Sequence, residues 1–324
     1  MKKRLHYLVA CTAIGLCAPV TASAQSAAVR TVEFESQAVG RKMKYNVALP
    51  ANYEHTTNRY PVLYLLHGLT SDYTAWALLG APAAARGLDL IVVMPDVGNS
   101  WYVNWAKSED GQKNRWEDFI VKDLIGHVDA TYRTVARREG RAINGLSMGG
   151  FGGLVLGLKH PDLFCSIGSQ SGAVAFAKNA GERLKEGKEL QRPKREPSTK
   201  PNPRIGIEGF SSQAERTPKG QFFVTADDCA ACDPFQLVTK IPRDKLPHIY
   251  VDCGTEDRLL ESNQAFLKLL MENKIPFTYA QSGGGHSGPY WMREIGHAMA
   301  VQYAIMQRQL KSAGKSANEP EKKE

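Results

Sequence analysis

Long apolar runs are missing from most of this chain. Beyond residue 24, no uninterrupted apolar stretch approaches the ~18 residues that a membrane-spanning helix requires. Cysteine is scarce too: six in 324 residues, and two of them (Cys11 and Cys17) fall within the first 24. So few cysteines exclude a scaffold built on disulfides. Cys165 and Cys253 lie in apolar, strand-like runs and read as inert core. Cys229 and Cys232, in "CAAC", are close enough to close a small local disulfide, with free thiols as the alternative. A lone C-x-x-C lacks the two further ligands of a zinc site, and no thioredoxin-like context surrounds it. No metal or cofactor is therefore expected. Acidic residues number 33 against 41 Lys and Arg, a formal charge of +8. No basic helix is interleaved with aromatics, so no nucleic-acid partner is expected.

What is present begins with "MKKRLHYLVACTAIGLCAPVTASA". Lys2, Lys3 and Arg4 precede a short apolar stretch that ends in the small-residue triplet Ala22-Ser23-Ala24. That is the layout of a secretory signal cleaved after Ala24, and it is too short to span a bilayer. "LVAC" at Cys11 superficially resembles a lipobox, but too little apolar sequence precedes it. Cleavage removes three basic residues and no acidic one, so eight less three leaves a mild +5. The mature protein is expected to be exported, periplasmic or secreted, with no membrane span. Its length suits one large α/β domain over residues 25–311, followed by a polar, disordered tail at 312–324.

Hydrophobic periodicity fills in that domain. "RTVEFESQAVG" and "RKMKYNVALP" alternate apolar and polar residues about Gly40-Arg41, predicting an antiparallel hairpin. "YPVLYLLHG" and "LDLIVVMPD" are continuous apolar runs, suited to parallel strands buried on both faces. "TAWALLGAPAAARG" between them is helix-like, and "WEDFIVKDLIGHVDATY" carries Phe119, Ile120, Leu124 and Val128 at helical spacing. Strands at "GRAINGLS", "FCSIGSQSG", "PHIYVDCG" and "PFTYAQS" alternate with further helices. Such alternation implies right-handed crossovers and a mostly parallel central sheet with helices on both faces. Residues 175–225 break the rhythm, and "QRPKREPSTKPNP" reads as an irregular insertion, a possible lid over the carboxyl edge of the sheet.

Within "INGLSMGGFGG", Gly145-Leu146-Ser147-Met148-Gly149 is a G-x-S-x-G placed after a strand and before a helix. A serine there stands on a sharp turn that lifts its hydroxyl clear of the sheet edge, and the small neighbours let strand and helix approach. A serine hydroxyl is a weak nucleophile at neutral pH and needs a base. On this strand–turn–helix plan an acid and then a histidine follow in chain order. "VDCGTEDRLL" supplies Asp257 as the orienting acid, with Glu256 and Asp252 as competitors. His286, in the glycine-rich "SGGGHSGPYW", is placed to act as general base. His55, His127, His160, His248 and His297 sit in an early loop, on helices or at a strand start, and His67 reads as a structural residue of its turn. The oxyanion donors expected are the backbone N–H groups of Met148 and of Leu69, in "YLLHGLTSD".

With these residues in place, the chain resembles the putative-esterase branch of the α/β-hydrolases, which includes tributyrin-type esterases, S-formylglutathione-hydrolase-like enzymes, feruloyl esterases and mycolyltransferases. "LLHGLTSD", "NSWYVNW", "WEDFIVKDLIGHVDATYRT", "GLSMGGFGG", "DPFQL", "CGTEDRLL" and "GGGHSGPYW" carry the resemblance in order along nearly the whole mature chain. It implies an α/β-hydrolase fold, a Ser147–Asp257–His286 triad, and Leu69 and Met148 as oxyanion donors. It also implies that Asn99, Ser100, Trp101 and Tyr102 border the substrate pocket, which Trp291 could also line. The basic 175–225 region is longer than simple esterases need, so substrate class does not carry over. The expected activity is hydrolysis of small acyl or aromatic esters, plant- or sugar-derived, through an acyl-enzyme. Acyl transfer to a sugar hydroxyl and S-formylglutathione-type thioester hydrolysis are the alternatives. The export signal argues against the last, whose substrate is cytosolic.

Overall fold

The computed structural model describes residues 29–190 and 217–316. The expected signal segment, the "QRPKREPSTKPNP" stretch and residues 317–324 lie outside them. Strands β1 (Val29–Ser36) and β2 (Arg41–Ala48) form the expected hairpin, paired from Val29–Ala48 to Ser36–Arg41. The remaining strands are β3 (Val62–Leu66), β4 (Ile91–Pro95), β5 (Lys107–Ser108), β6 (Arg141–Gly145), β7 (Ser166–Gln170), β8 (Gly220–Gln221), β9 (His248–Gly254) and β10 (Phe277–Ser282). Eight of them form one sheet in the order β1-β2-β4-β3-β6-β7-β9-β10, while β5 and β8 pair separately. The β1–β2 and β2–β4 pairs are antiparallel, and every neighbour from β4 to β10 is parallel. The parallel strands therefore present their carboxyl ends along one edge. This is the α/β-hydrolase sheet.

Burial on both faces explains the continuous apolar strands. In β3, Val62, Tyr64 and Leu66 join the core on one side, and Leu63 and Leu65 join the core on the other. Helices α1 (Ala75–Leu78), α2 (Ala81–Ala84) and α10 (Gly288–Ser316) cover the second side. Helices α3 (Trp116–Asp118), α4 (Ile125–Thr131), α5 (Met148–Lys159), α8 (Pro234–Lys240) and α9 (Leu260–Glu272) cover the first, together with α6 (Phe176–Lys185) and α7 (Ala226–Ala230).

Local departures have local causes. The helix-like run before β4 divides into α1 and α2 because Gly80 adopts φ 86°. The amphipathic helix at 116–131 runs without a break, but its middle, Phe119–Leu124, widens to a π-helical turn joining α3 to α4.

Three expectations are corrected. The 175–225 region is not irregular throughout: α6 forms inside it, and Gly220–Gln221 pairs with Lys107–Ser108. Its ends are held by aromatic packing of Phe176, Phe222 and Phe223. The polar tail starts later than residue 312, because α10 continues to Ser316. Cys229 and Cys232 are free buried thiols rather than a disulfide, and burial first of all pushes both up to about 11.

Candidate active site

Ser147 joins β6 to α5 at φ 55° and ψ −114°, a backbone conformation unfavourable for any residue with a Cβ. Both flanking glycines are sterically required. A Cβ on Gly145 would overlap the Gly149 carbonyl, and one on Gly149 would overlap the Leu66 carbonyl. The end of β7 and the loop after it hold the turn from outside: Ser147 N–H donates to Gln170 O (3.0 Å), and Ala173 N–H donates to Ser147 O (3.0 Å).

The predicted partners converge on this hydroxyl. His286 Nε2 lies 2.8 Å from Ser147 Oγ, and His286 Nδ1 lies 2.9 Å from Asp257 Oδ2 and 3.2 Å from Oδ1. The carboxylate can only accept, so Nδ1 carries the proton and Nε2 is left to accept from the serine hydroxyl. Burial pushes the Asp257 carboxyl up, but the hydrogen bond and charge of His286 and the Leu259 N–H (2.8 Å) outweigh it, holding it below the ordinary carboxylate range. The two competing acids stand elsewhere. Glu256 is exposed, and Asp252 is buried inside β9, where it accepts from the Tyr290 hydroxyl at 3.2 Å. Burial drives the Asp252 carboxyl well above its usual range.

Of the remaining histidines, His55 is exposed, in the early loop, and three others are occupied by structure. His127 stacks on Phe34 (4.4 Å between centroids), His160 pairs with Glu117 (2.8 Å), and His248 bridges Ser166 (3.0 Å) and Thr278 (2.9 Å). His67 has a more pointed position. Its Nε2 accepts from Val97 N–H (3.2 Å), so Nδ1 carries the proton and donates to Gly68 O (2.8 Å). The peptide that joins Gly68 to Leu69 is thereby gripped by its carbonyl, and planarity sends the Leu69 N–H the opposite way. This loop runs beside the nucleophile: a Cβ on Gly68 would stand 3.5 Å from Ser147 Cβ. Met148 is the first residue of α5, where a helix leaves N–H groups without intrahelical acceptors.

The "NSWYVNW" loop is mainly scaffold. Ser100 and Tyr102 are fully buried; Ser100 Oγ accepts from Tyr102 N–H (3.2 Å), and the Tyr102 hydroxyl donates to His67 O (2.9 Å). Direct substrate contact by these two is thus corrected to a supporting position. Asn99 accepts from Thr70 N–H (2.7 Å) and donates to Thr217 Oγ1 (2.8 Å), tying the Leu69 loop to the inserted region. Trp101 remains partly open and stacks on Phe176 at 3.4 Å between centroids. Trp291 is 2% exposed and meets the His286 ring edge-on at 4.9 Å, a contact that supports the imidazole rather than lining open space. Sequence reasoning missed the clamp of residues 170–173. Its only sequence signal is "GSQSG", a run of glycines and polar residues across the end of β7.

A family profile described as putative esterase matches residues 36–300. Esterase Rv1288 of Mycobacterium tuberculosis (strain ATCC 25618 / H37Rv) is 38% identical over 151 residues, which is 46% of this chain and 33% of that protein. The chain thus spans about a third of the length of that mycobacterial relative. An acetyl esterase of Caldicellulosiruptor saccharolyticus is 28% identical over 242 residues, 73% of this chain and 80% of that protein. Among solved structures, FphF, a fluorophosphonate-binding serine hydrolase of Staphylococcus aureus, superposes with a TM-score of 0.64 at 24% identity, covering 85% of this chain and 98% of that one. At that identity the likeness speaks for the fold.

Proposed function

The chain belongs to the putative esterase family of carboxylic-ester hydrolases, and from that premise we propose that it is an exported serine esterase working through an acyl-enzyme. The observation that carries this reading is the unbroken hydrogen-bond chain from Ser147 Oγ through His286 to Asp257. His286 Nε2 takes the hydroxyl proton as Ser147 Oγ bonds to the ester carbonyl carbon. The negative charge that develops on the carbonyl oxygen is met by the N–H groups of Leu69 and Met148. Collapse breaks the bond to the alcohol, which leaves with the proton held on His286. Water repeats the sequence on the acyl-serine, releasing the acid and restoring the hydroxyl. Asp257 keeps the imidazole in the one tautomer that can act as base, and the adjacent Trp291 ring limits its swing.

The substrate class is read from the wall beside the nucleophile. Trp101 stands edge-on to Phe151 (5.8 Å), on the helix that follows Ser147, and is stacked by Phe176, which in turn packs on Phe222. A flat, partly open aromatic wall suits esters with an aromatic or sugar-linked half, as both present planar or ring faces. Export is read from the leader sequence alone. The test is a panel of feruloyl, acetyl-sugar and short aliphatic esters assayed with the parent protein and Ser147→Ala. The expected result is a preference for ring-bearing esters and a fall in kcat of about 10⁴-fold or more on Ser147→Ala. A flat profile would remove the substrate class, and a Ser147→Ala variant as active as its parent would remove the mechanism.

A further inference from the structure

We propose that Asn263, on the buried face of α9, is a positioning residue that sets the separation of nucleophile and acid; this rests on the triad reading above. Asn263 is fully buried among Phe266, Leu267 and Leu270, an apolar setting in which an amide is costly unless bonded. Its Nδ2 donates to two carbonyls, Gly172 O at 2.9 Å and Leu259 O at 2.8 Å. Both partners can only accept, so the nitrogen must face them and the orientation of the amide is not in question.

The two acceptors belong to the two halves of the site. Gly172 precedes Ala173, whose N–H holds the Ser147 carbonyl. Leu259 supplies the N–H that binds Asp257 Oδ1 at 2.8 Å. The result is a closed ring: Ser147 Oγ to His286, to Asp257, to Leu259, to Asn263, to the Gly172–Ala173 peptide, and back to the Ser147 carbonyl. On one side the ring passes through the imidazole that must move a proton. On the other, the Asn263 side chain joins the nucleophile clamp to the acid loop, alongside the Ser171 hydroxyl, which acts on Asp257 from the same clamp. A helical role alone would leave the bond to Gly172, 91 residues away in sequence, without purpose, because Leu259 O already accepts from Asn263 N–H at 3.1 Å. In a buried, low-dielectric setting such a network is stiff, and small losses of registry between reacting groups are expensive in rate.

Asn263→Leu keeps the branched shape, with two larger methyl groups in place of the amide oxygen and nitrogen, and removes both bonds. The full chain carrying it is expected to lose about 10- to 100-fold in kcat on a p-nitrophenyl ester, with KM changed by less than about twofold. The loss must act through the acid, so in an Asp257→Asn background the same substitution should cost less than about threefold. Equal losses in both backgrounds, a loss carried by KM, or parental activity would each overturn the proposal. If Asn263→Leu does not fold, Asn263→Ser, which keeps a donor of shorter reach, takes its place in the same cycle; failure of both to fold makes Asn263 a core residue and overturns the proposal too. Ser147→Ala measured alongside separates the two ideas. If it stays active, the triad reading falls, whereas an inactive Ser147→Ala with additive Asn263 losses sinks the Asn263 proposal alone.

Discussion

Ser147, at φ 55° and ψ −114°, and Trp101 and Tyr102, at φ 61° and 60°, are non-glycine residues in sparsely populated backbone conformations beside one another at the sheet edge. Each costs about 1–3 kcal/mol and persists only where its surroundings over-determine it. The surroundings do so here through named bonds: Gln170 and Ala173 on Ser147, and the Ser100 hydroxyl and His67 carbonyl on Tyr102. A second residue-scale feature lies at the opposite end of the strands. His248 is pushed down to about 4, by burial first and by the Arg308 charge second. Its unfolded imidazole takes a proton near 6.5, so folding stability is full above that pH and falls as pH drops from about 6.5 towards about 4. Between pH 7.5 and 4.5 the parent should lose about 2–3 kcal/mol more unfolding free energy than His248→Asn, measured by urea titration at each pH. Equal losses would show that His248 is not the group responsible.

Among the elements, the junction of α3 with the end of α5 holds a buried carboxylate against basic partners. Glu117, 5% exposed in the first turn of α3, pairs with Lys159 and with His160 (2.8 Å) at the end of α5. Burial raises its carboxyl, but the bond to His160 and the charge and bond of Lys159 prevail, and it ionises below the ordinary range. Its contribution is thus present above its unfolded value of 4.5 and is lost as pH falls through the lower folded value. Glu117→Gln leaves the Lys159 ammonium facing no carboxylate and weakens the bond to His160, and a loss of about 2–4 kcal/mol in unfolding free energy at neutral pH is expected, checked by denaturant unfolding. An unchanged midpoint would contradict it. Elements differed in how far they could be read from sequence. Runs such as "VLYLL" announce a strand because every residue is apolar, and G-x-S-x-G announces its turn because only glycine fits on either side. The π-helical turn at Phe119–Leu124 leaves no mark, because its pattern of apolar residues is still that of a helix. Asn263 and the 170–173 clamp were equally hidden: their partners are backbone N–H and carbonyl groups, which any residue supplies.

For the molecule as a whole, the mostly parallel sheet and the place of Ser147, Asp257 and His286 along one edge were legible, since each follows a predicted strand, whereas the order of the strands was not. The inserted region was legible only as a break in rhythm. Its ordered ends depend on Phe176 and Phe222 meeting Trp101 and Trp105 across long sequence separations, which periodicity cannot reveal. The thiol state of Cys229 and Cys232 was open for a different reason, as spacing permits a bridge without compelling one. Export makes its own prediction at this scale: the protein recovered outside the cytoplasm should begin at Gln25, read by intact-mass measurement, whereas a retained leader would contradict cleavage after Ala24.

The central claim is that a covalent acyl group resides on the Ser147 oxygen during turnover. Rapid acid quenching during hydrolysis of a p-nitrophenyl ester, followed by peptide mass mapping, tests it directly. One acyl mass increment is expected on the peptide containing Ser147, absent in Ser147→Ala. Steady turnover by the parent with the increment on another residue, or undiminished turnover by Ser147→Ala, would contradict it.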